Sequence, residues 1–314
     1  MNGFHQRHLL GLENVSREEI ELILDTALPM RDILQRDIKK VPSLRGKAIT
    51  TVFFENSTRT RTSFEIAGKY LGADVVNLNV ASSSLKKGET LKDTIKNIEA
   101  MGFDIMIMRH EMSGAPVLAG QCMSRMRLIN AGDGAHEHPT QGLLDMLTIR
   151  EKKGTLDGLK VLIVGDILNS RVARSDIYGL SKFNCEIRVA GPATLLPPEI
   201  EKMGVKVYHD LDEALEGVDV INMLRMQLER QSGGLVPSLD EYSHLYILTP
   251  ERLKRAKEDV IVMHPGPINR GVEIATSVAD GPYSVITEQV TNGVAVRMAV
   301  LYLMLGGTEN EMLH

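Results

Sequence analysis

The segment from Ser57 to Arg61 reads Ser-Thr-Arg-Thr-Arg and concentrates groups that bind anions. An apolar, β-rich run precedes it at 48–54, and Phe64 and Leu71 then recur at helical spacing before Gly72. The segment therefore lies where a strand ends and a helix begins, so unpaired N–H groups and the helix dipole favour an anion there. Its guanidinium and hydroxyl groups predict a site for a phosphate-like dianion. A capped helix with surface arginines is the alternative that this segment leaves open.

A second segment, His136 to Gln141, follows the predicted strand Arg127 to Ala131. Its histidine at position 138 either caps the following helix or packs in a turn, or it takes part in catalysis. His136 and His138 are two positions apart, which would suit metal binding. No carboxylate or thiolate pattern completes such a site, so we predict no metal centre.

Polar groups also follow the other predicted strands, and ligands of parallel α/β sheets bind beyond the carboxyl ends of strands. Six strand exits that carry arginine, histidine or hydroxyl groups are difficult to explain as chance surface composition. These exits are Ser57–Arg61, Arg109, His138, Asp166–Arg171, Arg225 and His264–Pro267.

The elements that position these groups alternate between strand and helix along the whole chain. Ser16 and Glu19 form a capping box ahead of the first helix, and a final helix is predicted over about Glu288 to Leu305. Regular alternation predicts an α/β fold of two doubly wound parallel-sheet domains with right-handed crossovers. The predicted strands are 48–54, 74–80, 104–108, 127–131, 160–165, 186–190, 205–208, 218–224 and 260–263.

Composition narrows the class of protein. The 314 residues exceed the size at which single cores stop growing, about 250–300 residues, and 43% are hydrophobic. A net charge of −5 argues against a nucleic-acid partner. Cys122 and Cys185 form no CxxC pair, so neither a disulfide framework nor a zinc site is indicated. Without an apolar leader or a run of 18 apolar residues, we expect a cytoplasmic protein with no membrane partner.

The strand at Val161 to Asp166 resembles the start of a nucleotide-binding βαβ unit. The dinucleotide fingerprint needs two further glycines at the turn, and Ile167 to Arg171 supplies none. A nicotinamide-dependent dehydrogenase is therefore a disfavoured alternative, and we predict no cofactor.

Ser57 to Arg61, followed by Ser63-Phe64-Glu65, resembles the carbamoyl phosphate signature shared by aspartate and ornithine carbamoyltransferases. The resemblance implies that Thr60, Arg109 and His138 hold the carbonyl oxygen, where prepositioned donors would stabilise developing negative charge. It implies a carbamoyl phosphate site made of Ser57, Thr58, Arg59, Thr60, Arg109, His138, Gln141, Ser83 and Lys87.

Two further segments favour the aspartate branch of this family over the ornithine branch. Thr140 stands where ornithine enzymes usually have Cys, and His264-Pro265-Gly266-Pro267 replaces their His-Cys-Leu-Pro segment. The resemblance thus implies L-aspartate as the second substrate, with ornithine or a related amino acid as the alternative. The implied aspartate-binding residues are Lys87, Arg171, Arg225, Gln227, Gly266 and Pro267.

The resemblance also implies how the chain is organised. A carbamoyl phosphate domain would comprise residues 1–139 and 289–314, with the last helix returning to it, and an aspartate domain residues 140–288. The protein would be a homotrimer in which Ser83 and Lys87 reach a neighbour's site, while Glu55 and Arg230 stabilise the closed arrangement of domains. A regulatory chain or a dihydroorotase partner stays possible. Glu137 replaces an uncharged residue before His138 and could raise the histidine pKa or pair with an arginine.

Overall fold

The computed structural model of the chain describes residues 4–78, 89–227 and 234–306. The chain divides into two compact units, the first made of Met1–Leu143 and Thr291–His314 and the second of Leu144–Val290. The first unit is therefore assembled from both ends of the chain, whereas the second is one continuous stretch.

The first unit is built on a parallel sheet. Its elements are α1 (Arg17–Ile33), β1 (Ala48–Phe53), α2 (Thr58–Tyr70), β2 (Asp74–Leu78), α3 (Leu91–Ala100), β3 (Ile105–His110), α4 (Ala115–Cys122) and β4 (Arg127–Asp133). Within the described ranges the strands are hydrogen bonded in the order β2-β1-β3-β4, all parallel. All of β1 after Ala48 is buried, as expected for a strand covered on both faces.

The second unit contains another parallel sheet. Its elements are β5 (Lys160–Val164), α6 (Arg171–Leu180), β6 (Glu186–Ala190), β7 (Lys206–Tyr208), α7 (Leu211–Ala214), β8 (Val220–Met223), α8 (Leu239–Tyr246), α9 (Pro250–Leu253), β9 (Ile261–Met263) and α10 (Thr276–Ala279), with 3-10 turns at Ser181–Phe183, Ala193–Leu195 and Ile200–Met203. In the described part of the chain the strand order is β7-β6-β5-β8-β9. The predicted class, two parallel-sheet α/β domains, is confirmed.

Each sheet has one point where the strand order reverses. In the first unit it lies between β1 and β3, and in the second between β5 and β8. Ligands of open parallel sheets bind at such points, just beyond the carboxyl ends of the strands. The topology therefore marks the residues that follow β1, β3, β5 and β8.

Two helices, Pro139–Lys153 (α5) and Ile286–Met304 (α11), contain the points where the chain passes between units. The later part of α11 packs in the first unit. The Arg297 guanidinium donates to Ser63 Oγ at 2.9 Å and lies 5.1 Å from the centre of the Phe64 ring. Arg127 at the start of β4 donates to the carbonyl of Met304. The predicted return of the last helix to the first domain is confirmed.

The sequence analysis placed no element at α4. This eight-residue helix starts from Gly114, which has a φ of 83° and offers no capping side chain. The polar N-cap that usually marks a helix start is therefore absent from the sequence. Among the helices that the structure describes, none combines the length and the apolar character needed to span a membrane.

Candidate active site

The anion-binding segment lies at the start of α2. Ser57 takes the N-cap position, but its hydroxyl makes no capping hydrogen bond. Thr58 and Arg59 are exposed, Thr60 is 9% exposed, and no acidic residue lies in the first turn. The N–H groups of this turn have no helical partners, so the turn offers backbone and side-chain donors together.

Arg109 reaches the same end of the sheet from the neighbouring strand. It pairs in register with Phe53, and its carbonyl accepts from Phe54 N at 2.9 Å. Its guanidinium donates to Glu55 Oε1 at 2.9 Å from Nε and 2.5 Å from Nη2. Sequence reasoning missed this ion pair and assigned Glu55 to domain closure with Arg230. Arg230 lies outside the described residues, so that role stays a prediction.

The turn after β4 is organised around Asp133. Its carboxylate accepts from Gly114 N at 2.7 Å and Glu137 N at 3.1 Å, and lies 3.1 Å from His136 Nδ1. Burial alone would raise the pKa of Asp133, but bonds from His136, Gly114 and Asn130 outweigh it and lower the pKa. The carboxylate therefore stays ionised and fixes the turn. The described residues contain no group of three or more potential metal ligands.

His138 directly precedes α5, which begins with Pro139, a residue suited to the first helical position. The His138 carbonyl accepts from Gln141 N at 2.9 Å, so the helix starts immediately after it. His138, Thr140 and Gln141 are 4%, 0% and 9% exposed. Their burial removes competing water, which strengthens any hydrogen bond they make to a ligand.

These residues form what we call the first half-site, at the carboxyl ends of three adjacent strands, β1, β3 and β4. Its members are Ser57, Thr58, Arg59, Thr60, Arg109, His138 and Gln141. Ser83 and Lys87, which were predicted to join this site, lie outside the described residues.

The second half-site belongs to the second unit and begins after β5. Ser170 Oγ caps α6 by accepting from Ala173 N at 3.1 Å, and Arg171 is the first helical residue, 4% exposed. Asp166 is buried and accepts from the Asn169 backbone at 3.2 Å and side chain at 2.9 Å. The turn therefore fixes the position of Arg171 at the carboxyl end of β5.

Residues after β8 meet this turn. Gln227 Nε2 donates to the Asn169 carbonyl at 3.2 Å, which ties the β8 exit to the β5 exit. Arg225, two residues before Gln227, is partly buried. The two strands flank the point where the strand order reverses, so Arg171 and Arg225 both lie where a ligand is expected.

The loop after β9 is fixed by buried polar groups. His264 Nδ1 accepts from Gly266 N at 2.8 Å, so its Nε2 carries the proton and donates to Glu273 Oε1 at 3.0 Å. Glu273 Oε1 also accepts from Asn269 N at 2.6 Å, and His264 N donates to Gln289 Oε1 at 2.9 Å. These contacts hold the backbone at Gly266 and Pro267, the last members of the second half-site. No local pattern in the sequence indicates that Glu273 or Gln289 stabilises this loop.

A buried pair of carboxyl groups continues this network. Gln289 Nε2 donates to Asp145 Oδ1 at 2.7 Å, and Asp145 is hydrogen bonded to Asp176. Asn222 Nδ2 donates to Asp176 Oδ2 at 2.8 Å. Burial, and then the charge of Asp145, raise the pKa of Asp176 well above its usual value, so Asp176 keeps its proton to a higher pH than an exposed aspartate does.

Asp176→Asn should make the stability of the protein less sensitive to pH. The raised pKa means that the folded chain keeps a proton that the unfolded chain releases above about pH 4, so wild-type stability falls as pH rises from there towards the folded-state pKa. Asn keeps the shape of the protonated acid but does not titrate, so it removes this loss of stability at higher pH. Thermal unfolding at pH 5 and pH 8 should show a smaller loss of Tm in the variant.

The matched control is Asp240→Asn, which changes an exposed carboxylate of the same unit. It should leave the wild-type difference between pH 5 and pH 8 unchanged. If Asp176→Asn also leaves that difference unchanged, the pKa of Asp176 is not raised in the folded chain.

The two half-sites differ in chemistry. The first gathers hydroxyls, helix N–H groups and arginines for a dianion, with His138 as a further donor towards a polarised oxygen. The second gathers Arg171, Arg225 and Gln227, whose planar groups suit carboxylates. The groups of the first half-site thus suit a phosphate-bearing compound, and those of the second suit a carboxylate-bearing compound.

Comparison with known proteins identifies two family domains along the chain. The family model for the carbamoyl phosphate-binding domain of the aspartate/ornithine carbamoyltransferases matches residues 7–151. The model of their aspartate/ornithine-binding domain matches residues 157–304. A protein of Syntrophomonas wolfei named aspartate carbamoyltransferase catalytic subunit is 69% identical over 307 residues, covering 98% of this chain and 98% of that protein.

Solved structures give the same likeness. Aspartate transcarbamoylase from Trypanosoma cruzi, in complex with N-(phosphonacetyl)-L-aspartic acid, has a TM-score of 0.87 and 32% identity over 96% of this chain and 97% of that one. Ornithine carbamoyltransferase from Pyrococcus furiosus has a TM-score of 0.86 and 31% identity over 98% of this chain and 100% of that one. The fold alone therefore does not separate the two amino-acid substrates.

Proposed function

Because the chain belongs to the aspartate/ornithine carbamoyltransferase family, we propose that it transfers the carbamoyl group of carbamoyl phosphate to the amino group of L-aspartate. The products are N-carbamoyl-L-aspartate and phosphate. The observation that carries the proposal is the pairing of a dianion site after β1 with two arginines after β5 and β8. The 69% identity to a protein named aspartate carbamoyltransferase catalytic subunit supports aspartate, rather than ornithine, as the second substrate.

Carbamoyl phosphate binds the first half-site. Its phosphate takes hydrogen bonds from Ser57, Thr58, Arg59 and the first N–H groups of α2. Thr60, Arg109 and His138 donate to the carbonyl oxygen, which gains negative charge as the amine attacks. Arg109 is already oriented by Glu55, so little side-chain freedom is lost when the substrate binds.

Aspartate binds the second half-site, and its two carboxylates require two cationic partners. Arg171 meets one, and Arg225 with Gln227 meets the other. The backbone at Gly266 and Pro267, held by the His264–Glu273 pair, orients the amine. As the C–N bond forms and the C–O bond to phosphate breaks, the departing phosphate accepts a proton from the amine.

Ornithine is the second candidate, since its carbamoyltransferase shares the fold. Its side chain carries an ammonium group where aspartate carries a carboxylate. One of the two arginines would still meet the ornithine carboxylate, but the other would face the ammonium group, and like charges brought together cost affinity. The two arginines therefore favour aspartate.

The purified chain should form a carbamoylated product from carbamoyl phosphate and aspartate, and far less from ornithine at the same concentration. N-(phosphonacetyl)-L-aspartate joins both substrates in one molecule, so it should inhibit at concentrations well below the aspartate KM. A colorimetric product assay measures both effects. Equal or faster turnover of ornithine would contradict the substrate assignment, and product from neither amino acid would contradict the function.

The wider setting is also proposed. The reaction is the committed step of de novo pyrimidine biosynthesis, and a cytoplasmic location suits it. A homotrimer, in which Ser83 and Lys87 of one subunit complete a neighbour's site, is supported by the resemblance of those residues to the family loop. No cofactor enters the proposed reaction, because carbamoyl phosphate is itself activated. A regulatory chain or dihydroorotase partner stays compatible with it.

A further inference from the structure

Glu137 is a buried carboxylate that the reaction does not use, and its side chain binds the backbone of the N-terminal segment. Its Oε2 accepts from Leu12 N at 2.7 Å and its Oε1 from Glu13 N at 3.3 Å. Glu137 is 1% exposed. Consecutive backbone N–H groups of this kind form a small concave anion site, here occupied by the protein's own carboxylate.

Gly11 completes this site by leaving room. A Cβ at position 11 would lie 2.1 Å from Glu137 Oε1 and 2.6 Å from its Cδ. These separations are far inside van der Waals contact, so any side chain at position 11 would push the carboxylate off its two amides. The close approach explains a glycine at this point.

The N-terminal segment is itself fixed to the sheet. Leu9 N donates to the Leu128 carbonyl at 2.9 Å, and Asn130 N donates to the Leu9 carbonyl at 2.9 Å. The Asn130 side chain reaches the Leu10 carbonyl at 2.8 Å. Leu9 and Leu12 are fully buried. The segment is therefore a rigid support beside β4.

The main chain of Glu137 is held from the other side. Its N–H donates to Asp133 Oδ1 at 3.1 Å, and its carbonyl accepts from Asp133 N at 3.1 Å. Its backbone and its side chain are thus bound to two different parts of the first unit, and His138 is the next residue. The remaining freedom of the His138 backbone is correspondingly small.

We propose that Glu137 is a positioning residue, which anchors the turn before His138 to residues 11–13 and so sets the direction of the His138 ring. The inference rests on the proposed function for its catalytic consequence. It makes the N-terminal segment a part of the active-site scaffold through the backbone N–H groups of Leu12 and Glu13.

Two substitutions break the same contact from opposite sides, which makes the inference testable in the full-length chain. Glu137→Ala removes the carboxylate, and Gly11→Ala displaces it. Each should lower kcat by about tenfold to a hundredfold at saturating substrates, the cost typical of a misplaced catalytic group. The Kd for inorganic phosphate should stay within about twofold, because the α2 turn is untouched. The double variant should be no slower than the slower single variant.

The ring of His138 supplies a readout that does not depend on turnover. In protein carrying 13C-labelled histidine, the signal absent from His138→Ala identifies this ring. Both Gly11→Ala and Glu137→Ala should shift that signal, and Glu137→Gln, which keeps one acceptor, should shift it less. If wild-type protein makes no product, the proposed function fails, while this signal still tests the positioning role.

Matched controls separate positioning from general damage. Glu13→Ala keeps the backbone N–H that Glu137 uses, and Gly120→Ala adds a Cβ whose nearest neighbour is 3.5 Å away. Both should keep wild-type kcat and the wild-type His138 signal. An unchanged signal in Glu137→Ala and Gly11→Ala, losses of kcat that multiply in the double variant, or a lower Tm with unchanged kcat would each overturn the inference.

Discussion

Arg59→Ala is expected to lower kcat/KM between about thirtyfold and several thousandfold while the chain stays folded. Removing one partner of a charged, hydrogen-bonded pair costs about 2–5 kcal/mol, and each 1.36 kcal/mol is a factor of ten in rate. Arg59 is exposed at the start of α2 and belongs to no core face, so stability should not change. Steady-state kinetics and thermal unfolding measure the two effects.

Arg61→Ala is the matched control, since it removes the same group two residues further along the helix. Hydrogen bonds from Lys69 and Asn77 lower the pKa of the Glu65 carboxyl, and the nearby charge of Arg61 adds to this effect. Its kcat/KM should stay within about threefold of wild type. Near-normal turnover in Arg59→Ala would show that the phosphate is bound elsewhere.

His138→Ala should lower kcat about a hundredfold to a thousandfold, the usual cost of losing one donor to a developing oxyanion. The KM for carbamoyl phosphate should change much less, because the phosphate donors on α2 remain. Burial of the ring at 4% exposure means that water does not easily replace the lost donor. Single-turnover kinetics would place the loss in the chemical step.

His244→Ala provides the comparison, because His244 is an exposed histidine on α8. It should retain wild-type kcat. A kcat for His138→Ala within threefold of wild type would remove His138 from the reaction and leave Thr60 and Arg109 as the carbonyl donors.

Much of the fold could be predicted from local patterns. A continuous apolar run predicted the strand Lys160–Val164, and the Ser16–Glu19 capping box predicted the start of α1. The first half-site could be located because its signature occupies adjacent positions at a strand exit. Local periodicity and a compact motif are the two signals that one sequence carries.

The supports of the site could not be predicted, because their partners are far apart in the chain. Glu137 binds an amide 125 residues away, and Gln289 reaches Asp145 across 144 residues. Nothing local distinguishes these residues from solvated polar side chains. From the sequence, Glu137 was interpreted as a carboxylate that could raise the His138 pKa or pair with an arginine. The structure shows a further role, because its carboxylate accepts hydrogen bonds from the backbone of the N-terminal segment.

The division of the chain has a consequence for its synthesis. The ribosome releases residues 144–290 before it releases the later part of α11, from Thr291 onward, so the first unit is completed only after the second has been synthesised. Until then Ser63 and Phe64 of α2 lack the Arg297 side chain that covers them. The same helix carries Thr58 and Arg59 in its first turn. The helix that carries the anion site therefore gains this contact only after the second unit has been synthesised, and a nascent chain that stops before Arg297 lacks it.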